Sequence, residues 1–178
     1  MLGKYENFPK NIHGIALFEH QESTKSIQKA IFFTFFKINQ QIYNFNEVAS
    51  YLEQNCEVGF EFGVADGTDF NFLDKKELER CERSLSEKDW NFLDFFVLTR
   101  YYRIKRDNKR VPLKFDFQII RFIFQKSFLE LQIHHEKGSQ RITIDDLTDF
   151  IAKKINSELS QRELSPLILG EFSKVGLK

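Results

Sequence analysis

The sequence predicts an α+β protein with a largely antiparallel sheet and helices packed on it. Segments in which apolar residues alternate with period two come in groups separated by short turn signals, which favours antiparallel hairpins. Segments with helical spacing, several of them preceded by a capping residue, stand between these groups and after them. The predicted order is β-α-α-β-β-α-β-β-β-α, and its first part is compatible with a ferredoxin-like βαββαβ core.

Length and composition limit the class of protein. The chain has 178 residues, of which 42% are hydrophobic, enough for one sizeable core. We therefore expect a single α+β domain over residues 1–159, followed by a tail over 160–178 that either docks or frays. Basic and acidic residues number 26 each, so a globally basic nucleic-acid coat is excluded. Phe is unusually frequent, with 21 residues, and is expected first of all in the core.

Several features favour a cytoplasmic protein without membrane contact. The N-terminal residues contain no apolar segment typical of a signal peptide. The longest apolar stretch, Ile31 to Ile38, is far shorter than the ~20 residues of a membrane span. Cys56 and Cys81 are expected to be ordinary reduced thiols, because disulfide scaffolds carry more cysteine than this.

The first helix is expected to be apolar on more than one face. A short strand over Asn11–Glu19 precedes it, and Ser23 or Thr24 can cap it. One stripe at helical spacing would face the core; it comprises Ile27, Ile31, Thr34 or Phe35, Ile38 and Ile42. The rings of Phe32, Phe33 and Phe36 lie off that stripe. The helix is therefore either sandwiched between layers or presents these three rings to a partner.

Three further helices are predicted in the first half of the chain. Asn44 and Glu47 have the spacing of a capping box, which indicates a short helix through Gln54 with Leu52 inward. Asp74 can cap a helix that reaches Leu85. A short helix carrying Trp90 and Leu93 can follow.

The segment Glu57 to Leu73 predicts a β-hairpin. Val58, Phe60, Phe62 and Val64 alternate with polar residues or glycine. A three-residue loop, Ala65-Asp66-Gly67 with Gly67 left-handed, would pair Phe62 with Phe70 and Phe60 with Phe72. This register places all four rings on one buried face, so it is preferred to a two-residue loop.

The last three strands predict a meander followed by a helix. A two-residue loop at Asp107-Asn108 gives three apolar pairs: Ile104 with Val111, Tyr102 with Leu113 and Leu98 with Phe117. A bulge or bend is expected at Gln118-Ile119, where the apolar face switches. A turn at Lys126-Ser127 likewise gives Phe124 with Leu129, Phe122 with Leu131 and Ile120 with Ile133. Thr143, with Asp146 three residues on, predicts a final helix to about Glu158.

The strongest functional signal is electrostatic. The segment Arg100–Lys114, named here the basic hairpin, has seven cations and one acid, Asp107. In one interpretation, these lysines and arginines keep a solvent-exposed strand edge from pairing with other strands, or form ion pairs with the chain's own acids. In the other, they contact phosphates. For the second case the candidate contact residues are Arg100, Tyr102, Arg103, Lys105, Arg106, Lys109 and Arg110, with the tyrosine available to stack on a base.

No catalytic, metal or cofactor motif stands out. His134 and His135 are adjacent and point to opposite faces of a strand, and neither Cys56 nor Cys81 lies at zinc spacing. No P-loop or dinucleotide fingerprint occurs. We therefore expect no catalytic residue, metal or cofactor.

The function hypothesis is a non-catalytic interaction module or small complex subunit, with a protein partner or a homo-oligomer on the Phe-rich helix and the basic hairpin. The alternative is RNA or single-stranded DNA binding through that hairpin. A third hypothesis is an enzyme of unknown reaction that uses His20, Asp66 or His135.

Overall fold

The computed structural model describes residues 1–174 as three helices and one eight-stranded antiparallel sheet. The strands are β1 (Gly14–Glu19), β2 (Ile42–Asn44), β3 (Cys56–Asp66), β4 (Asp69–Phe72), β5 (Phe92–Ile104), β6 (Arg110–Phe124), β7 (Phe128–Lys137) and β8 (Ile168–Lys174). The helices are α1 (Thr24–Ile38), α2 (Lys75–Glu87) and α3 (Ile144–Gln161), and Phe45–Glu47 form one 3-10 turn. The predicted α+β class, the antiparallel sheet and the order of the main elements are confirmed.

The sheet order differs from a ferredoxin-like core. The strands lie in the order β2-β3-β5-β6-β7-β1-β8, and β4 pairs with β3. A split βαβ core would pair β1 with strands from the first half of the chain. Instead β1 pairs with β7 and with β8, which is formed by the tail. The tail therefore docks over Ile168–Lys174, while its last four residues lie outside the described range.

An aromatic core joins the helices to one face of the sheet. The ring of Phe35 stacks on Phe62 with centroids 4.0 Å apart and meets Phe95 edge-on at 4.8 Å. On α3, Phe150 stacks on Phe60 at 5.1 Å. Buried rings of this size contribute both apolar area and ring–ring contacts. Much of the Phe content is accounted for by this core.

The predicted helix caps are confirmed. The side chains of Ser23, Asp74 and Thr143 accept hydrogen bonds from the backbone N–H three residues on, at 3.2, 2.8 and 3.2 Å. Each cap satisfies a donor that a helix N-terminus otherwise leaves unpaired. Helix α2 also buries the predicted stripe of Leu78, Cys81 and Leu85.

One predicted short helix is only a 3-10 turn, and another does not form. The capping box of Asn44 and Glu47 is present, but only the 3-10 turn follows it, and Leu52 is 86% exposed. The chain beyond it is held by side chains instead: Ser50 N donates to Asp146 at 3.0 Å. Trp90 and Leu93 do not lie on a helix, because β5 begins at Phe92 and pairs with β6 from there.

The β3–β4 hairpin has a different register from the predicted one. Asp66 pairs with Asp69 and Gly63 with Phe72, so the loop has two residues. Its first residue is Gly67, with φ +71°, which suits the first central position of a II′ turn. Phe70 and Phe72 therefore face away from Phe60 and Phe62. The prediction failed because it assumed that only one sheet face buries apolar side chains.

The predicted β6–β7 register is confirmed, whereas the predicted β5–β6 register holds only away from the hairpin tip. Leu98 pairs with Phe117, and all three predicted β6–β7 pairs occur. The bulge predicted at Gln118-Ile119 does not occur on β6, which pairs with β5 without a shift through these residues; the shift there is on β7, where Glu136 is an extra residue. Near the tip of the basic hairpin an irregularity between Arg100 and Tyr102 moves the pairing by one residue. Tyr102 therefore pairs with Pro112 rather than Leu113, and Ile104 with Arg110 rather than Val111. Asn108 takes φ +62°, as a longer loop requires.

The sheet face opposite the helices, named here the outer face, holds a buried ion pair. Arg121 donates two hydrogen bonds to the fully buried carboxylate of Asp94, at 2.6 and 2.8 Å. The guanidinium group lies between the rings of Phe8 and Phe92, 4.0 and 4.3 Å from their centroids. The same carboxylate accepts the backbone N–H of Tyr5 at 2.8 Å. The pair thus ties residues 1–13, named here the N-terminal arm, to β5 and β6.

Replacing Asp94 by alanine should destabilise the protein by about 3 kcal/mol, because Arg121 would lose its partner while remaining largely buried. Urea unfolding measures the change. Asp89→Ala is the matched control: Asp89 pairs with Lys25 at 3.5 Å in an exposed position, and its loss should cost less than about 1 kcal/mol. Equal effects of the two substitutions would contradict this account.

Candidate interaction surface

The N-terminal arm covers one part of the outer face. Gly3 N donates to Ala65 O at 2.6 Å and Asp94 N donates to Gly3 O at 2.8 Å, so the arm begins between β3 and β5. Farther along, Asn11 O lies 2.7 Å from His134 Nδ1 on β7. The part of β5 and β6 that leads to the basic hairpin stays uncovered by these contacts.

Five aromatic rings form a continuous row on the outer face, named here the aromatic strip. In order they are Tyr5, Phe70, Phe96, Phe117 and Phe115, with successive centroids 4.7, 5.6, 5.1 and 5.0 Å apart. Phe115 is 38% exposed, and Phe72, beside the other end of the row, is 50% exposed. A partly exposed apolar row of this length is a typical feature of a contact surface.

A groove lies at one end of the aromatic strip. Its volume is about 430 Å³, and its apolar lining includes Tyr5, Phe70, Phe72 and Phe96. That volume lies within the range of about 300–1,000 Å³ that ligand pockets usually have. The groove can accept one or two apolar side chains of a partner.

The basic hairpin adjoins the other end of the strip, because Arg100 pairs with Phe115 across β5 and β6. Two of its arginines are neutralised: Arg100 Nε donates to Glu61 at 3.1 Å and Arg110 Nε to Glu57 at 2.9 Å. Lys109 Nζ is 3.9 Å from Asp107. Within residues 1–174, no ion pair holds four other cations, namely Arg103, Lys105, Arg106 and Lys114. Three of these, Arg103, Lys105 and Arg106, lie in or next to the loop at the tip, so the tip is the most cationic part, and Tyr102 beside it is half-buried.

The three rings assigned to a partner on α1 differ in their surroundings. Phe32 is fully buried and contacts Trp90 and Phe95, with centroids 5.5 and 5.7 Å away. Phe33 and Phe36 are half-buried and pack against the core. The structure thus places Phe32 in the core and leaves only the other two at the surface.

The structure does not bring together the groups assigned to an enzyme. Asp66 ends β3 and pairs with Arg80 at 2.9 Å, whereas His20 follows β1. Four strand spacings separate β3 from β1, or about 19 Å. His135 lies on β7 at the opposite end of β1 from His20, since Gly14 pairs with Ile133 and Glu19 with Phe128. These three side chains form no common site.

A buried polar cluster surrounds Asp116. Tyr101 Oη donates to Asp116 Oδ2 at 2.5 Å, and the backbone N–H groups of Gln140 and Ile142 donate to Asp116 and to Tyr101. Burial and the nearby Asp116 charge raise the pKa of Tyr101 far above its usual value. The phenol therefore stays protonated, and the cluster anchors the chain before α3 to the sheet.

Over the described residues, no group of three or more His, Cys, Asp or Glu side chains could hold a metal ion. None of the helices in residues 1–174 is long and apolar enough to cross a membrane. Comparison with known proteins finds no match to a family model, a curated protein or a solved structure.

The sequence interpretation found the basic hairpin but missed the aromatic strip. Phe70 and Phe72 had been placed on the helix face by the wrong β3–β4 register. The remaining signal was the confirmed Leu98–Phe117 pair. The expected bulge at Gln118-Ile119 would bring Phe115 and Phe117 to the face of Ile120. Without that bulge, strand alternation places Phe96, Phe115 and Phe117 on the opposite face.

We expect Cys81 to resist alkylation in the folded protein. Burial raises its thiol pKa to about 12, so at pH 8 only about one thiol in 10⁴ is the reactive thiolate. Iodoacetamide at pH 8, followed by mass spectrometry, should leave Cys81 unmodified under native conditions and modify it fully in urea. Native modification as fast as in urea would show that the thiol is accessible and ionised.

Proposed function

We propose that this chain is a non-catalytic interaction module, a small subunit that binds a protein partner through the outer face. The observation that carries the proposal is the junction of the aromatic strip with the basic hairpin. There the partly exposed rings of Phe115 and Phe117 lie on one open sheet surface, and the two strands continue from it to the cations without ion pairs at the hairpin tip. A cytoplasmic location belongs to the same proposal, and two unpaired buried cysteines fit it.

The chemistry of the surface defines the partner. The strip and its groove favour apolar side chains, whose burial supplies most of the binding free energy. The hairpin tip favours carboxylates, which supply orientation and association rate. We therefore propose a protein surface that presents apolar anchors beside an acidic segment.

The charge pattern favours a protein over a polyanion. Glu57 and Glu61 lie at the base of the basic hairpin and neutralise Arg110 and Arg100. Asp69 lines the groove at the other end of the strip. A phosphate backbone that followed the strip would meet these carboxylates, whereas a protein can place lysine or hydrogen-bond donors against them.

A second candidate function is binding of single-stranded nucleic acid. The observation in its favour is that the ring spacing of 5.0–5.6 Å continues from Phe70 to Phe115 and ends beside cations. Aromatic rings on a sheet next to a basic segment can stack bases while the cations contact phosphates.

The double substitution Phe72→Ala and Phe115→Ala should abolish partner binding, because it removes the two most exposed rings at the ends of the surface. The tagged full chain, captured from nuclease-treated extracts of its source cells, should retain a protein that the double variant loses. The retained protein should also be lost with Arg106→Glu.

Phe128→Ala is the matched control. Phe128 is 38% exposed, as Phe115 is. It begins β7, whereas Lys137, which pairs with Phe117 of the aromatic strip, ends β7. The length of the strand therefore separates Phe128 from the strip by about 30 Å. This variant should bind like the wild type. Equal loss in both variants, or retention in both, would reject the surface. Sedimentation that shows self-association lost in the double variant alone would identify a second copy as the partner instead.

For the second candidate, fluorescence anisotropy with labelled dT15 and rU15 measures affinity against salt. Joint Arg106→Ala and Lys109→Ala substitution should reduce the slope of log K against log salt by about 1.4, because each lost phosphate contact contributes about 0.7. The pair Lys29→Ala and Lys153→Ala, two exposed lysines on α1 and α3, should leave it unchanged. If the wild type binds neither probe at low salt, this candidate is rejected.

A further inference from the structure

A small polar cavity lies between the C-terminal half of α1 and α3, on the helix side of the molecule. Its volume is about 200 Å³. The wall is mostly polar and includes Thr34, Lys37, Gln41, Lys154, Ser157 and Glu158. Neither the aromatic strip nor the basic hairpin contributes to it. The proposed function therefore does not account for the polar lining of this cavity.

The single carboxylate in the wall is fully engaged. Glu158 accepts from Lys37 Nζ at 2.9 Å through one oxygen and from Arg162 Nε at 2.8 Å through the other. Burial raises the pKa of Glu158, but these hydrogen bonds more than offset it, so the pKa lies below its usual value. Two cations thus compensate one negative charge.

Lys154 adds a further positive charge. Its Nζ lies over the rings of Tyr43 and Phe150, 5.0 and 5.6 Å from their centroids. Among residues 1–174 no carboxylate lies within ion-pair distance of it, so its charge adds to those around Glu158. The potential inside the cavity is therefore positive.

The hydroxyl of Thr34 is the second unusual feature. Thr34 is only 3% exposed, and its Oγ1 has no hydrogen-bond partner within the described part of the chain. Buried polar groups are nearly always paired with protein or with bound solvent or ligand. The oxygen itself is enclosed by protein and has almost no accessible surface, so it lies behind the cavity wall, and the chemistry of the cavity rests on its lysines.

We propose that this cavity binds a small oxyanion, a phosphate or a carboxylate group, between Lys37 and Lys154. Charge-assisted hydrogen bonds of this kind are the strong ones. The volume holds one such group with a few waters, but it is below the size of usual small-molecule sites. A bare ion or the terminal group of a larger ligand therefore fits, and a buried nucleotide does not.

Titration with inorganic phosphate at constant ionic strength, followed by ¹H–¹⁵N NMR, tests the site. In the wild type, the backbone amide signals of the residues that line the cavity should shift and reach a plateau as phosphate is added. Lys154→Met should raise the dissociation constant roughly tenfold or more, as expected for loss of one hydrogen bond to a charged group. The matched control is Lys153→Met, its exposed neighbour on α3, which should bind phosphate like the wild type.

Thr34→Val is a second control. It removes an enclosed hydroxyl that does not reach the cavity, at nearly constant volume, so phosphate binding should stay like that of the wild type. Acetate is titrated in the same way. A lower dissociation constant for acetate than for phosphate indicates a carboxylate site, and the reverse indicates a phosphate site. Shifts that stay linear for both anions, or equal losses in Lys154→Met and Lys153→Met, would overturn the proposal.

Discussion

The buried ion pair of Asp94 and Arg121 controls how much of the outer face is open. A carboxylate with no solvent exposure is stable there only because Arg121 and the Tyr5 N–H satisfy it. Those bonds hold the N-terminal arm over β5 and β6. The remaining surface, from the groove beside Phe70 to the basic hairpin, is what a partner can contact.

The two faces of the sheet use the same residue type for different purposes. On the helix face, Phe35, Phe62 and Phe95 are fully buried and set the spacing between α1 and the sheet. On the outer face, Phe96 and Phe117 pack on one another but remain partly exposed. The difference follows from strand alternation, since a shift of one residue exchanges the faces. High Phe content therefore reflects both a core and a surface.

The two proposed binding regions lie on opposite sides of the sheet. The aromatic strip and the basic hairpin form an extended surface suited to a macromolecule, whereas the cavity beside Lys154 is small and suited to an oxyanion. A partner on the outer face would leave that cavity accessible. The cluster of Tyr101 and Asp116, by contrast, is buried and anchors the chain before α3, so it contributes to the position of α3 rather than to contact.

Local chemistry in the sequence was enough to predict the α+β class, the three helix caps and the β6–β7 register. A cap such as Asp74 to Glu77 needs only neighbouring residues, and the apolar pairs from Phe124–Leu129 to Ile120–Ile133 allow one alignment. The position of β1 beside β7, the β8 strand and the face of Phe70 were decided only by the tertiary structure. Each depends on contacts between segments far apart in the chain, such as the N-terminal arm and the strands that it covers. The pattern of apolar residues within one segment carries no information about which distant segment will bury it.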